Sequence, residues 1–238
     1  MCHSGLATIV PPYAGTVKRW WAFIPYAVVG AVHLASLFSG TDAVAEPTKA
    51  LLMPALLLAL FVALPLRRDA VAIWAGAGVL VSWIGDLLLS TPAETGFVGG
   101  LGAFMLAHIA YLVLFLHPLK RRPIPWLALA LVLWWVALLV ILAPHLGVLL
   151  IPVAVYGFIL GASTAAALGT NLVTAIGALL FLASDTLLAF KLFWPDFAVW
   201  QADFLIMIMY ITGQGLIILG VLLQRPLPRA AEPATPEA

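Results

Sequence analysis

The sequence predicts an all-α protein, a polytopic transmembrane bundle of about eight helices, and three observations carry the prediction. Hydrophobic residues make up 64% of the chain and charged residues 9%, with a mean hydropathy of +1.14. A soluble domain carries about 25% charged residues, so this chain lacks the polar surface needed to face water, and lipid is its main solvent. Its long runs of Leu, Ala and Val do not alternate with polar residues, as the strands of a membrane barrel would. A helix needs ~20 apolar residues to cross the hydrocarbon core, and 238 residues leave room for eight crossings with short connections.

The expected spans, in order, are 20–39, 47–65, 70–91, 97–116, 124–143, 146–167, 171–193 and 201–224. The segments between them are short and carry Pro, Gly or charge, as in Gly40-Thr41-Asp42, Pro92-Ala93-Glu94, Arg121-Arg122-Pro123 and Pro195-Asp196. Residues 1–224 read as one transmembrane domain. Residues 225–238, rich in Pro, Ala and Glu, read as a disordered cytoplasmic tail. Pro54 and Pro152 are the best kink candidates. Gly96 with Gly100, and Gly157 with Gly161, form small-xxx-small patterns that suit close helix packing.

Basic residues set the orientation. With the N-terminus inside, Lys18, Arg19, Arg67, Arg68, Lys120, Arg121, Arg122, Arg225 and Arg229 all fall on the cytoplasmic side. That is nine of eleven, a strong positive-inside bias that also supports an even helix count. The expected location is the inner (cytoplasmic) membrane of a bacterium, with both termini in the cytoplasm. No cleavable signal peptide is expected, because the first apolar stretch is long enough to span and lacks a small-residue cleavage site.

The net charge of +1 argues against a nucleic-acid partner. The one cysteine, Cys2, excludes an internal disulfide and a cysteine-based metal cluster. A homo-oligomer is left open.

Residues 82–90 read SWIGDLLLS and residues 181–190 read FLASDTLLAF. A shift of 99 superposes Asp86 on Asp185 and Tyr111 on Tyr210, as two parallel four-helix repeats would. Chance likeness between leucine-rich helices is the alternative.

An ionisable residue inside a span costs at least ~2.5–3.5 kcal/mol at the helix centre and is a functional candidate by default. Lys49, Asp86 and Asp185 are three such residues. At ~1.5 Å rise per residue, Asp86 lies roughly 7 Å and Asp185 roughly 12 Å from the outer ends of their expected spans. Lys49 stands two residues into the second span, so all three share the outer half of the bilayer. Ser82 precedes Asp86 by four residues and shares its helix face. His108 and Tyr111, three apart, share another face. Tyr156, Ser184, Tyr210 and Gln214 complete the candidate set.

Each has a plainer reading. The acids suit a structural pair with Lys49, or neutral hydrogen-bonding glue between helices. His108 suits a satisfied core histidine, the tyrosines suit packing, and Ser82 and Ser184 suit helix contacts. His33, His117 and His145 read as packing or interfacial rather than catalytic.

A zinc site wants three or four His, Cys or carboxylate ligands at characteristic spacing. No HExxH occurs, and only His108 accompanies the acids at depth. No GxSxG elbow or phosphate-binding glycine loop is visible. What is left is a carboxylate pair in an apolar cavity, without metal or cofactor, and that pattern points to acid–base chemistry.

At these residues the sequence resembles the YhhN-like lysoplasmalogenase family of eight-helix membrane proteins. The resemblance rests on Ser82-x-x-Gly85-Asp86-x-Leu88, followed by Phe97, Gly100, Phe104, His108 and Tyr111. It continues through Gly177-Ala178, Phe181, Ser184-Asp185, Leu188 and Ala189 to Tyr210, Gln214, Leu216 and Ile217. Pro152 and Tyr156 resemble the family's sixth helix. Lys49 resembles its second-helix lysine, although the proline usual after it is Ala50 here. The likeness covers roughly residues 20–222.

The resemblance implies hydrolysis of the vinyl ether bond of lysoplasmalogens, releasing a fatty aldehyde and glycerophosphoethanolamine or glycerophosphocholine. Such bonds hydrolyse by protonation of the outer alkene carbon, giving an oxocarbenium ion that water captures. One carboxyl must be held protonated and the other ionised, a division that two-carboxylate enzymes achieve by environment. Asp86 and Asp185 are the expected catalytic pair, their individual roles undecided. Lys49 is expected to balance charge or meet the lipid phosphate, with Tyr210, Gln214 and His108 orienting water or the ether oxygen. The expected partners are the lysolipid and the bilayer lipids. Two rivals stand beside this reading: a proton-coupled transporter of a small molecule or lipid, and a noncatalytic lipid-binding membrane protein.

Overall fold

The computed structural model describes residues 19–64, 69–91, 94–119 and 122–224. Eight α-helices fill them: α1 (Ile24–Ser39), α2 (Asp42–Ala63), α3 (Ala70–Leu89), α4 (Glu94–Leu116), α5 (Leu129–Leu146), α6 (Leu150–Leu168), α7 (Leu172–Phe193) and α8 (Ala202–Leu223). Short 3-10 turns at Arg19–Phe23, Trp126–Ala128 and Gly147–Leu149 precede α1, α5 and α6. Among the described residues seven helical stretches are long and apolar enough to cross a membrane. One of them, Trp126–Leu168, is 43 residues long and holds both α5 and α6. The protein is an integral membrane protein. The expected tail at 225–238, and the basic residues Lys18, Arg67, Arg68, Lys120, Arg121, Arg225 and Arg229, lie outside the described residues.

The helix ends have identifiable causes. Gly40 takes a left-handed φ of 68° after α1. Its N–H meets Leu37 O at 3.3 Å while Thr41 N–H meets Ser36 O at 2.9 Å, the paired bonds of a Schellman cap. Asp69 caps α3 by accepting from Val71 N at 2.9 Å, and Asn171 caps α7 by accepting from Thr174 N at 3.0 Å.

Two boundaries depart from expectation by five residues. The second span was expected to start at Pro47, but α2 begins at Asp42, where an acid in the first turn favours the helix N-terminus. Lys49 therefore stands two turns into the helix rather than at its start. The fifth span was expected from 124, yet α5 begins at Leu129 after an extended Pro125 (ψ 147°) and a 3-10 turn. Pro152 falls in the first turn of α6, where it removes no intrahelical bond. Pro54 lies inside α2.

Neighbour relations run α1–α2–α3–α4–α6–α7–α8, and α8 returns to α1, α2 and α3. α5 stands outside this ring against α6 and α7. α8 is the most buried helix and the α5–α6 stretch the least. Polar bonds tie the ring where apolar packing against lipid gives no directional hold. Tyr26 donates to Ile211 O at 2.7 Å, joining α1 to α8, and Trp83 donates to Ala50 O at 2.8 Å, joining α3 to α2. α7 and α8 approach closely through their backbones. A Cβ built on Gly177 would stand 2.7 Å from Gly213 O and from Ile217 N.

Candidate active site

The ring of helices borders an open cavity of about 740 Å³, within the range of small-molecule sites. α3 brings Asp86 to it three residues before its end, nearer the helix terminus than the expected span implied. α7 brings Ser184 and Asp185, α6 brings Tyr156, α8 brings Tyr210, and α2 brings Lys49. Six of the ten residues singled out from sequence thus line one chamber. The two carboxyls, 99 residues apart in sequence, face the same hollow.

Each acid is held by a tyrosine. Tyr210 donates its hydroxyl to Asp86 Oδ2 at 2.8 Å, and Tyr156 donates its hydroxyl to Asp185 Oδ2. Asp86 is 4% exposed, whereas Asp185 is half-buried. Lys49 Nζ donates to Ser90 Oγ at 3.1 Å, and Ser90 Oγ donates in turn to Asp86 O at 2.9 Å. Lys49 therefore reaches the neighbourhood of Asp86 through the end of α3. Ser184 Oγ donates to Ile206 O at 2.9 Å and pins α7 to α8 beside Asp185.

Three further candidates form a chain buried outside the chamber. Tyr111 donates to Gln214 Oε1 at 2.6 Å, and Gln214 Nε2 donates to Ser82 Oγ at 3.0 Å. Ser82 lies one turn before Asp86 on α3, and Gln214 one turn after Tyr210 on α8, so the chain supports the Asp86–Tyr210 pair from beneath. Every polar atom that it places in an apolar interior thereby meets a partner.

His108 stands apart. It is buried, its Nδ1 is 3.0 Å from Ser163 Oγ, and its ring meets the face or edge of Phe181 at 4.6 Å. It does not line the chamber, and its Nε2 has no hydrogen-bond partner among the described residues. Water or an ether oxygen held in the chamber is therefore beyond its direct reach.

The chamber is divided in character. Around Asp185 its walls are Leu101, Phe97, Val153, Leu188, Ala189 and Leu192. Around Lys49 they are His33, Asp42, Glu46, Ser90 and Thr91, with Asp203 on the α8 side. Sequence reasoning passed over this polar end. His33, read as packing or interfacial, lines the chamber, and its Nδ1 is 3.1 Å from Ala45 O and 3.0 Å from Thr48 Oγ1. The available signal was depth: His33 stands six residues before the end of α1, about 9 Å on the helical rise, level with the acids. Asp203 forms an ion pair with Lys191 across the α7–α8 connection. Among the described residues no three His, Cys, Asp or Glu side chains group as a metal site.

Such an arrangement can hold a molecule with a polar head and an apolar tail, the tail running past Asp185 and the junction lying between the two acids. Phe104, Phe181 and Tyr210 pack edge to face behind it, at 6.2, 6.1 and 5.2 Å between ring centres, and close the floor.

Known proteins resemble this chain in sequence. The family model described as the YhhN family matches residues 45–221. A Mycobacterium bovis protein named lysoplasmalogenase is 38% identical over 198 residues, covering 74% of this chain and 75% of its own. The Mycobacterium tuberculosis protein of the same name matches to the same extent. Human lysoplasmalogenase TMEM86B is 38% identical over 157 residues, 64% of this chain and 65% of its own. No solved structure matches the chain. With three quarters of its length matched by the family model and by relatives at this identity, the chain belongs to the YhhN family.

Proposed function

We propose that this protein is a lysoplasmalogenase, an intramembrane hydrolase that cleaves the vinyl ether bond of a lysoplasmalogen or a related ether lysolipid, with Asp86 and Asp185 as its catalytic pair. The observation that carries the reading is the pair of tyrosine-held carboxyls lining one chamber with an apolar end and a polar end. The relatives' name supports it from an independent direction.

The chemistry follows from the side chains. One carboxylic acid gives its proton to the outer alkene carbon, the C=C π pair becoming the new C–H bond. The cation that results is shared between the inner carbon and the ether oxygen. The other carboxylate faces that charge and takes a proton from the water whose oxygen bonds to the inner carbon. The hemiacetal then loses its bond to the glycerol oxygen, which gains a proton, and the fatty aldehyde leaves. The apolar walls beside the acids strengthen the interaction of the carboxylate with the cation. Lys49 suits the lipid phosphate at the polar end.

The site lies in the outer half of the inner membrane of a bacterium, both termini being cytoplasmic on the charge bias of the loops. Residues 1–224 constitute one transmembrane domain on this reading.

Purified protein in detergent micelles, given a lysoplasmalogen, should release aldehyde, and Asp86→Asn or Asp185→Asn should not. Substrate flux into proteoliposomes without aldehyde would replace the hydrolase with a carrier.

A further inference from the structure

We propose that the groove between α2 and α3 is a water inlet serving Asp86 separately from the chamber that takes the lipid chain. The inference rests on the hydrolase reading above, and it concerns a requirement that reading creates. Each turnover consumes one water, yet an alkenyl chain lying along Val153, Leu188 and Ala189 fills the route past Asp185 with hydrocarbon.

A second, smaller cavity of about 200 Å³ lies between α2 and α3. Glu46, Lys49, Asp86 and Ser90 line it together with Ala50 and Leu87. The first four also line the large chamber, so they form the wall that the two spaces share. Asp86 touches both spaces, whereas Asp185 touches the large one alone among these two.

Position and chemistry agree. The small cavity lies beside the last turn of α3 and the second and third turns of α2. Asp86 is three residues before the last residue of α3, about 4.5 Å along the axis. Asp185 is eight residues before the end of α7, about 12 Å. Water therefore reaches Asp86 in one helical turn, past an ammonium, a carboxylate and a hydroxyl that solvate it. The Lys49–Ser90 hydrogen bond at 3.1 Å crosses from α2 to α3 within this wall.

The inlet divides the labour of the acids. Asp185, beside the hydrocarbon walls, gives its proton to the outer alkene carbon. Asp86, fed with water, takes the proton of the water that captures the inner carbon. That proton returns to Asp185 before the next turnover.

Methanol is the probe. Methanol entering by the same route bonds through its oxygen to the inner carbon, gives its hydroxyl proton to Asp86, and leaves a mixed acetal that keeps the glycerol moiety. Mass spectrometry reads the acetal-to-aldehyde ratio directly. Ala50→Leu narrows the small cavity and leaves the Ala50 carbonyl that Trp83 bonds. Leu87→Ala widens it, truncating a side chain that is 40% exposed.

Narrowing should lower the ratio and widening should raise it, each by about tenfold, the worth of one methyl in a confined site. A ratio that ignores both changes, in variants that release aldehyde, overturns the inlet and brings the water through the large chamber. If Ala50→Leu does not fold, Leu87→Ala decides alone. Neither product from the unaltered protein overturns the hydrolase reading and the inlet with it.

Discussion

Tyr210 on α8 donates to Asp86 Oδ2 on α3 at 2.8 Å, a bond between side chains 124 residues apart in the chain. Tyr156 on α6 does the same for Asp185 on α7. A shift of 99 residues superposes the acids but not the bonds. Tyr111, the counterpart of Tyr210, is spent on Gln214 instead, and Asp185 takes its tyrosine from a position whose counterpart is Leu57. Whatever the origin of the two halves, the two carboxyls now have unequal surroundings, as a division between acid and base requires.

Replacing either acid by its amide tests the pair. An asparagine oxygen still accepts from Tyr210, or from Tyr156, so Asp86→Asn and Asp185→Asn keep the fold. Loss of a general acid or base costs about 10²–10⁴-fold, and aldehyde release should fall by that much in each. Unaltered turnover in either folded variant removes that residue from the mechanism.

Tyr210→Phe separates the hydrogen bond from the acid. A bond to a charged group contributes about 1.5–3 kcal/mol, so turnover should drop about ten- to a hundredfold. Tyr210 also packs on Phe104 and Phe181, and phenylalanine keeps those ring contacts. The melting temperature in detergent should fall by several degrees with the lost bond while kcat falls; a melting shift with normal kcat would make the tyrosine structural.

The sequence made the bundle and the acids legible because hydrophobic length and buried charge are local signals. Asp86, Asp185, Lys49, Tyr156, Ser184 and Tyr210 all lie in segments whose depth can be counted from the span ends. Helix azimuth cannot be counted that way. Ser82, about 10 Å from the end of α3 on the helical rise, faces Gln214 rather than the chamber, and His33 at similar depth does line it. The start of α2 was misplaced because Pro47 resembles a first-turn proline, whereas the helix forms five residues earlier at Asp42.

Close approach of α7 and α8 is a second quantity that sequence did not reveal. A Cβ on Gly177 would meet the backbone of Gly213 and Ile217 at 2.7 Å, and backbone cannot rotate aside. Gly177→Ala should cost about 1–3 kcal/mol by overpacking, read as a lower melting temperature in detergent. Gly102, inside α4, has nothing within 4 Å of its Cβ position. Gly102→Ala should leave stability unchanged or raise it through helix propensity. Equal losses at both glycines would contradict the packing described.

Chain length offers the sharpest test of where the lipid tail lies. Ala189 lines the apolar end of the chamber, beside Leu188 and Leu192 on α7. An indole placed there occupies space that the far methylenes of a long alkenyl chain need, but not the space beside Asp86 and Asp185. Each excluded methylene forfeits about 0.8 kcal/mol of burial. Displacing two or three of them costs about 2 kcal/mol, or about thirtyfold in relative kcat/KM. Ala189→Trp should therefore turn a preference for long chains into one for short chains, when two lysolipids of different length compete in one mixture. Competition cancels any general loss of folded enzyme, since both substrates meet the same molecules. An unchanged ratio would place the tail elsewhere, and with it the polar head now assigned to the Lys49 end.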